Sequence, residues 1–271
     1  MPNFSILLPP AEGKKTGGNP FAPDMFDYRS SGTFNYFREL NAERKSLIKA
    51  LQDILGAPEH ELERLFGVKG DTLADAVQVN TAVLKAPLMS ALDRYSPGVM
   101  FKAMDFQGLP TGAQRRLLEN GIIFSGLFGL LRPDDLIPNY RLKMDASVPE
   151  IGKVSSFWRP HLSPILNTHL EGRFVWNLLP GAHRDAWDDA HTYAHMVEVK
   201  FYREVQGERR AVSHGVKQLR GQLSAHIVKE TIESIEPLLE WEHPDGYELD
   251  QDAMEQNEET KTTLLVYVKY G

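Results

Sequence analysis

The chain has 271 residues, 42% of them hydrophobic and 25% charged, with a formal net charge of −7 at pH 7 and no cysteine. Such a composition predicts a globular protein with a sizeable core, and its acidic balance excludes a surface coated in basic residues. Lack of cysteine excludes disulfides, thiol nucleophiles and thiolate metal sites, in keeping with a reducing compartment. The opening MPNFSILLPP has no basic segment and too short an apolar run for a signal peptide, and no run approaches a membrane span. The expectation is a cytoplasmic protein without a membrane partner.

Phe4 to Leu8 reads as a first strand, stopped by Pro9-Pro10, and AEGKKTGGNPFAPD after it reads as loop. From Tyr36 to Leu55 the apolar positions follow helical spacing, with Gly56 as a stop. Shorter helices are predicted over Glu59 to Phe66, Asp71 to Leu84, with Asp71 or Thr72 as cap, and Pro87 to Tyr95. Val99 to Phe106 reads equally as strand or helix, and Ala113 to Glu119 as a short helix. Gly121 to Phe124 reads as a buried strand. Ser125 to Met144, SGLFGLLRPDDLIPNYRLKM, then abandons regular periodicity.

Ser155 to Leu170 is a predicted helix that Pro160 and Pro164 should kink or break. Phe174 to Leu178 reads as another buried strand. Met196 to Tyr202 alternates and should pair with Arg210 to Ser213 across a Gln206-Gly207 turn. His214 to Glu230 is amphipathic. Tyr247 to Leu249 and Thr262 to Tyr270 read as closing strands, and the acidic DQDAMEQNEETK between them as a mobile loop. Interleaved helices and strands with some hairpins predict an α/β fold, of mixed α+β type, with a central mixed β-sheet flanked by helices. The expectation is a single domain over 1–271, mainly helical from 35 to 95.

The 125–144 connection carries the strongest functional signal. Gly126 and Gly129 allow backbone to come close to a ligand, and Arg132, Arg141 and Lys143 supply positive charge, the two arginines as planar forks suited to phosphate or carboxylate. Lys14, after the first strand, either touches an anion or is a solvated loop residue; Leu8 stands where a phosphate loop needs its first glycine, which rejects a Walker motif. Lys217 and Arg220 are either a solvated helix face or part of a site, and Gly221 beside them calls for close approach of a backbone or a ligand. Trp158 is either core or a stacking platform for a base.

Leu65 to Ala74 resembles a helix-hairpin-helix turn, in which Gly67, Val68, Lys69, Gly70 and Thr72 would aim helix N-terminal amides at a DNA phosphate; a plain turn between helices is the alternative. His191 and His195 have the spacing of one helical face but lack the glutamate of a zincin, so an incidental pair is preferred to a metal site. No catalytic triad order, paired-carboxylate spacing or dinucleotide fingerprint is present, and no motif calls for a cofactor.

The chain resembles the YaaA family of bacterial peroxide-stress proteins over nearly its whole length. The most specific stretch is Ser125-Gly126-Leu127-Phe128-Gly129-Leu130-Leu131-Arg132-Pro133, followed by Tyr140-Arg141-Leu142 and Met144. Pro10-Ala11, Phe157-Trp158, Asn177-Leu178, and Ser213 with Lys217, Arg220 and Gly221 support it. Many members carry Ser-Pro-Ala-Lys where this chain has Pro10-Ala11-Glu12-Gly13-Lys14. The resemblance implies a mixed α/β fold, a positively charged cleft, a helix-hairpin-helix-like element, DNA binding, and protection from peroxide by limiting damage driven by free iron.

Two readings follow. In the first, the protein binds double-stranded or structured DNA through the 67–72 turn and a cleft that includes Lys14, Ser125, Gly126, Arg132, Tyr140, Arg141, Lys143, Trp158, Asn177, Lys217 and Arg220. In the second, the same cleft is an active site for a nucleobase, nucleotide or other small anionic metabolite, with Tyr140, Arg141 and Lys217 as catalytic candidates. A third and weaker reading has iron held by His183, His191 and His195.

Overall fold

The computed structural model describes residues 3–20, 36–212 and 215–271; residues 21–24 of the predicted loop, Ser213 and His214 lie outside the described residues. The chain opens with β1 (Phe4–Leu8), followed by the helices α1 (Asn41–Ile54), α2 (Glu59–Phe66) and α3 (Gly70–Thr81). A short β2 (Met89–Ser90) leads into α4 (Ala91–Tyr95), α5 (Val99–Met104) and α6 (Thr111–Asn120). Then come β3 (Gly121–Ser125), β4 (Gly129–Leu131), β5 (Leu136–Ile137), β6 (Ser147–Val148) and β7 (Gly152–Lys153). The long helix α7 (Val154–Leu170) precedes β8 (Phe174–Asn177), α8 (Gly181–Arg184), β9 (His195–Val205) and β10 (Glu208–Ala211). The chain closes with α9 (Val216–Glu230), α10 (Glu236–Leu239), β11 (Glu248–Leu249), β12 (Glu255–Asn257) and β13 (Thr262–Tyr270).

One mixed sheet organises these elements, in the order β11-β13-β9-β8-β1-β3-β4. Its middle, β13-β9-β8-β1-β3, is parallel, and antiparallel strands β4, β10, β11 and β12 finish it. The central strands are covered on both faces, which is why FSILL and GIIFS are buried throughout and mostly apolar. Helix α6 packs on β1 and β3, and α9 lies across α5 and α6. In the β9–β10 hairpin Gln206 and Gly207 both adopt positive φ, 54° and 80°, as a two-residue turn matched to strand twist requires.

Several predicted elements differ from the observed ones for identifiable reasons. Helix α7 runs unbroken through Pro160 and Pro164, because both sit on its exposed face, where the carbonyls left without a donor can reach water. Val99 to Met104 is helical. The predicted helix from Pro87 begins only at Ala91, where the Ser90 hydroxyl accepts from the Asp93 amide and caps it. Helix α3 starts at Gly70 without a side-chain cap. The acidic stretch predicted as a mobile loop instead forms a 3-10 turn over Gln251–Ala253 and an edge strand, β12, paired with β13.

Gly221 is explained by packing. A Cβ there would stand 2.2 Å from the Met100 carbonyl oxygen and 2.9 Å from the Ala103 Cβ, so the glycine lets α9 close on α5. Gly221→Ala should lower stability by roughly 1–3 kcal/mol through overpacking. Gly56→Ala, which meets nothing within 4 Å, should leave the urea midpoint near that of the parent; equal midpoints for the two variants would refute this account of Gly221.

Candidate functional site

Strands β1 and β8 are parallel neighbours, and the chain leaves them in opposite directions, toward β3 on one side and β9 on the other. A crevice is expected beyond the carboxyl ends of strands at such a reversal. There the structure has a recess of about 530 Å³. It is walled by residues 9–14 after β1 and by Pro180, Ala182 and His183 after β8; residues 97–101, 140–145, Val216, Lys217 and Arg220 complete it. Val216 and Lys217 open the fifteen-residue α9, whose first amides have no partner within the helix.

Below the recess lies a chain of buried hydroxyls. The Tyr140 oxygen is 2.7 Å from Ser125 Oγ and 2.6 Å from the Tyr95 oxygen, and Ser125 Oγ accepts from the Phe128 amide at 3.0 Å. Burial pushes the Tyr140 phenol up to about 12, and raises that of Tyr95 well above its usual value, so both remain neutral. Tyr140, a predicted proton-transfer candidate, thus has its hydroxyl engaged by two neighbours. Its ring supports Lys14, whose Nζ stands 4.3 Å from the ring centroid and donates to the Ala11 carbonyl at 3.1 Å. Burial, then the nearby Arg141 charge, lowers the Lys14 ammonium to about 7.

Arg141 reaches the recess because its backbone is held from behind. The buried Asn80 of α3 donates to the Arg141 carbonyl at 2.8 Å and accepts from its amide at 3.0 Å. Arg141 Nε is buried without a hydrogen-bond partner, and so is Arg220 Nε across the recess. Glu198 is occupied by Arg184, at 2.6 Å, and by the Asn177 amide. Burial lowers the Arg220 guanidinium from its usual range, with the Arg184 charge adding to the effect. Lys143 faces Glu12 at 3.7 Å. Among the described residues, Arg141, Lys217 and Arg220 make no side-chain hydrogen bond or ion pair. His183 lines the same recess; burial lowers its imidazole to about 4, so it is neutral near pH 7, and its Nδ1 has no partner.

The structure therefore brings together Lys14, Tyr140, Arg141, Lys143, Lys217 and Arg220, with Ser125 behind them. Other predicted residues lie elsewhere. The Arg132 guanidinium pairs with Asp134 at 3.1 Å, donates to the Leu118 carbonyl at 2.8 Å and stacks on Tyr36. Trp158 is fully buried, donates to the Gly126 carbonyl at 2.8 Å and packs on Gly129, so it is core and no stacking platform. Gly126 admits the chain's own backbone: a Cβ would meet the Leu142 carbonyl oxygen at 2.5 Å. Asn177 is buried, with its amide on Glu198 and its oxygen accepting from the Leu179 amide.

The predicted DNA-binding turn joins α2 to α3, with Gly67 and Gly70 at φ 63° and 54° and Val68 and Lys69 between them. Lys69 folds back onto Glu63 at 3.3 Å, and Thr72 is exposed beside Asp71. His191 and His195 share no helix: His191 contacts Tyr193 and Asp189 in a loop, and His195 opens β9 with Nε2 2.9 Å from Thr263 Oγ1. Among the described residues no three His, Asp or Glu side chains are grouped to hold a metal, which overturns the reading of iron bound by His183, His191 and His195. No helix of the described residues is long and apolar enough to cross a membrane. Sequence reasoning missed Asn80 and Tyr95, which carry no local pattern; His183 was named only as a metal ligand.

Fold and recess define a mixed α/β protein with a ligand-sized cavity at the carboxyl ends of its central parallel strands. The family model described as "Peroxide stress protein YaaA" matches residues 4–253, and the chain belongs to that family. Membership ties it to peroxide stress. A UPF0246 protein of Streptomyces coelicolor is 28% identical over 258 residues, covering 92% of both chains. An uncharacterised protein of Campylobacter jejuni is 28% identical over 240 residues, covering 87% of this chain and 89% of its own. A UPF0246 protein of Corynebacterium glutamicum is 31% identical over 225 residues, 81% of this chain and 82% of its own.

Burial holds both His183 and His169 at about 4, against 6.5 for the free group. The folded chain keeps these imidazoles neutral while the unfolded chain protonates them, so unfolding takes up protons between those limits and stability falls as pH drops from about 6.5 toward 4. Urea midpoints at pH 5 and 7 should differ in that sense, and His169→Gln with His183→Gln should flatten the difference. An unchanged pH slope in the double variant would contradict these assignments.

Proposed function

We propose that the recess binds a small anionic metabolite of nucleobase or nucleotide size and serves as an active site. The observation that carries this is the pair of guanidiniums, Arg141 and Arg220, that line it with buried, unpartnered Nε atoms and no ion pair among the described residues. A buried donor without an acceptor is costly, and an anion's oxygens would supply what the protein withholds. The α9 amides at Val216 and Lys217 favour the same sign of charge. A volume of about 530 Å³ suits a metabolite. Lys217 and the neutral His183 are the groups available for proton transfer.

Calorimetric titration with adenosine monophosphate and with pyrophosphate tests this. Binding should weaken roughly ten-fold or more in Arg141→Ala and Arg220→Ala, a loss of about 1.4 kcal/mol or more, with no fall in thermal stability. Parent-like affinity in both variants would remove the reading.

A second reading is binding of double-stranded or structured DNA, in a peroxide-stress role that limits iron-driven damage. It is favoured by one contact: Lys143 Nζ lies 3.4 Å from where a Cβ of Gly67 would stand, so the α2–α3 turn and the recess share a rim. Phosphate could then bridge turn amides and recess cations. Against it, Glu59, Glu61 and Asp71 occupy the first turns of these helices. If DNA binds there, log affinity should fall linearly with log salt, with a slope of about −0.9 per phosphate contacted. A flat salt response in fluorescence anisotropy would exclude it.

A further inference from the structure

We infer that Lys14 is an amine nucleophile that forms a Schiff base with a small aldehyde or ketone carrying a carboxylate or phosphate group. This rests on the recess being an anion site. Lys14 follows the central strand β1 and lines the recess. Its Nζ makes no ion pair among the described residues; its hydrogen-bond partners are the carbonyls of Ala11 and Glu12. The one carboxylate beside it, Glu12, faces Lys143. The other groups around it are the neutral phenols of Tyr95 and Tyr140 and the cations Arg94 and Arg141.

Desolvation and like charge both favour the free amine, whose ammonium is lowered to about 7, so a large share carries a lone pair at neutral pH. Arg141 can hold the anionic end of a substrate while its carbonyl meets Nζ. The Lys14 nitrogen bonds to the carbonyl carbon, the carbonyl π pair moves to oxygen, and one amine proton passes to that oxygen. The second amine proton then leaves with the hydroxyl as water, giving C=N; nothing is oxidised or reduced. Exposed Lys15, the next residue, lacks this setting and is an internal control.

The test treats the full chain with pyridoxal 5′-phosphate or pyruvate plus cyanoborohydride at pH 7, then maps reduced adducts by peptide mass spectrometry. Lys14 should be modified at least about ten-fold faster than exposed Lys15. Pyridoxal without its phosphate should label Lys14 poorly, and Arg141→Ala should slow labelling at Lys14 but not at Lys15. Lys14→Arg should lose the adduct. Arg141-dependent anion binding without preferential adduct at Lys14 would overturn the nucleophile and leave the anion site standing. Loss of both would overturn both. Should Lys14→Arg fail to fold, the adduct map of the parent chain decides.

Discussion

Everything at the recess hangs on one oxygen. The Tyr140 hydroxyl lies between Ser125, at the end of β3, and Tyr95, at the end of α4, so a single buried group ties sheet, helix and the 140–145 segment together. Neither partner could be replaced by water without opening the interior, and an unpaired phenol there would cost on the order of 1–3 kcal/mol. The register of this chain of hydroxyls fixes where Arg141 and Lys143 emerge and gives Lys14 an aromatic face to rest on. Gly126 serves the same end, since only a residue without Cβ lets the Leu142 backbone pass so near.

The arginines that reach into the interior differ in what they meet. Arg44 donates to the carbonyls of Phe128 and Leu130, Arg94 to those of Lys15, Gly17, Pro87 and Ile137, and Arg173 to Ser5, Phe4 and Asn120. These are struts that bridge carbonyl and side-chain oxygens of separate segments. Arg141, its peptide held by Asn80, and Arg220 instead line the recess with Nε unpartnered. Enclosing charge without satisfying it is destabilising, and such an arrangement is the ordinary mark of a binding site.

The fold was largely legible because burial on two faces writes mostly apolar runs, as in FSILL, and amphipathic helices write their own period. What escaped was long-range arbitration. Arg132 and Arg141 look alike within one motif, yet Asp134 and the Leu118 carbonyl take the first, while Asn80, sixty-one residues upstream, presents the second. Trp158 beside an arginine could have been a platform; the room left by Gly129 made it core. The α7 prolines warned of a break that their exposed placement makes harmless. The Lys14 side chain folds back to the Ala11 carbonyl, a reach no spacing rule anticipates.

The paired hydrogen bonds between Asn80 and the Arg141 peptide have a mechanical consequence. They make α3 and the recess wall a single lever, with the α2–α3 turn at its far end. Displacing α3 must either break both bonds or carry the Arg141 peptide with it. One amide side chain thus anchors the recess wall to the helix that follows the turn.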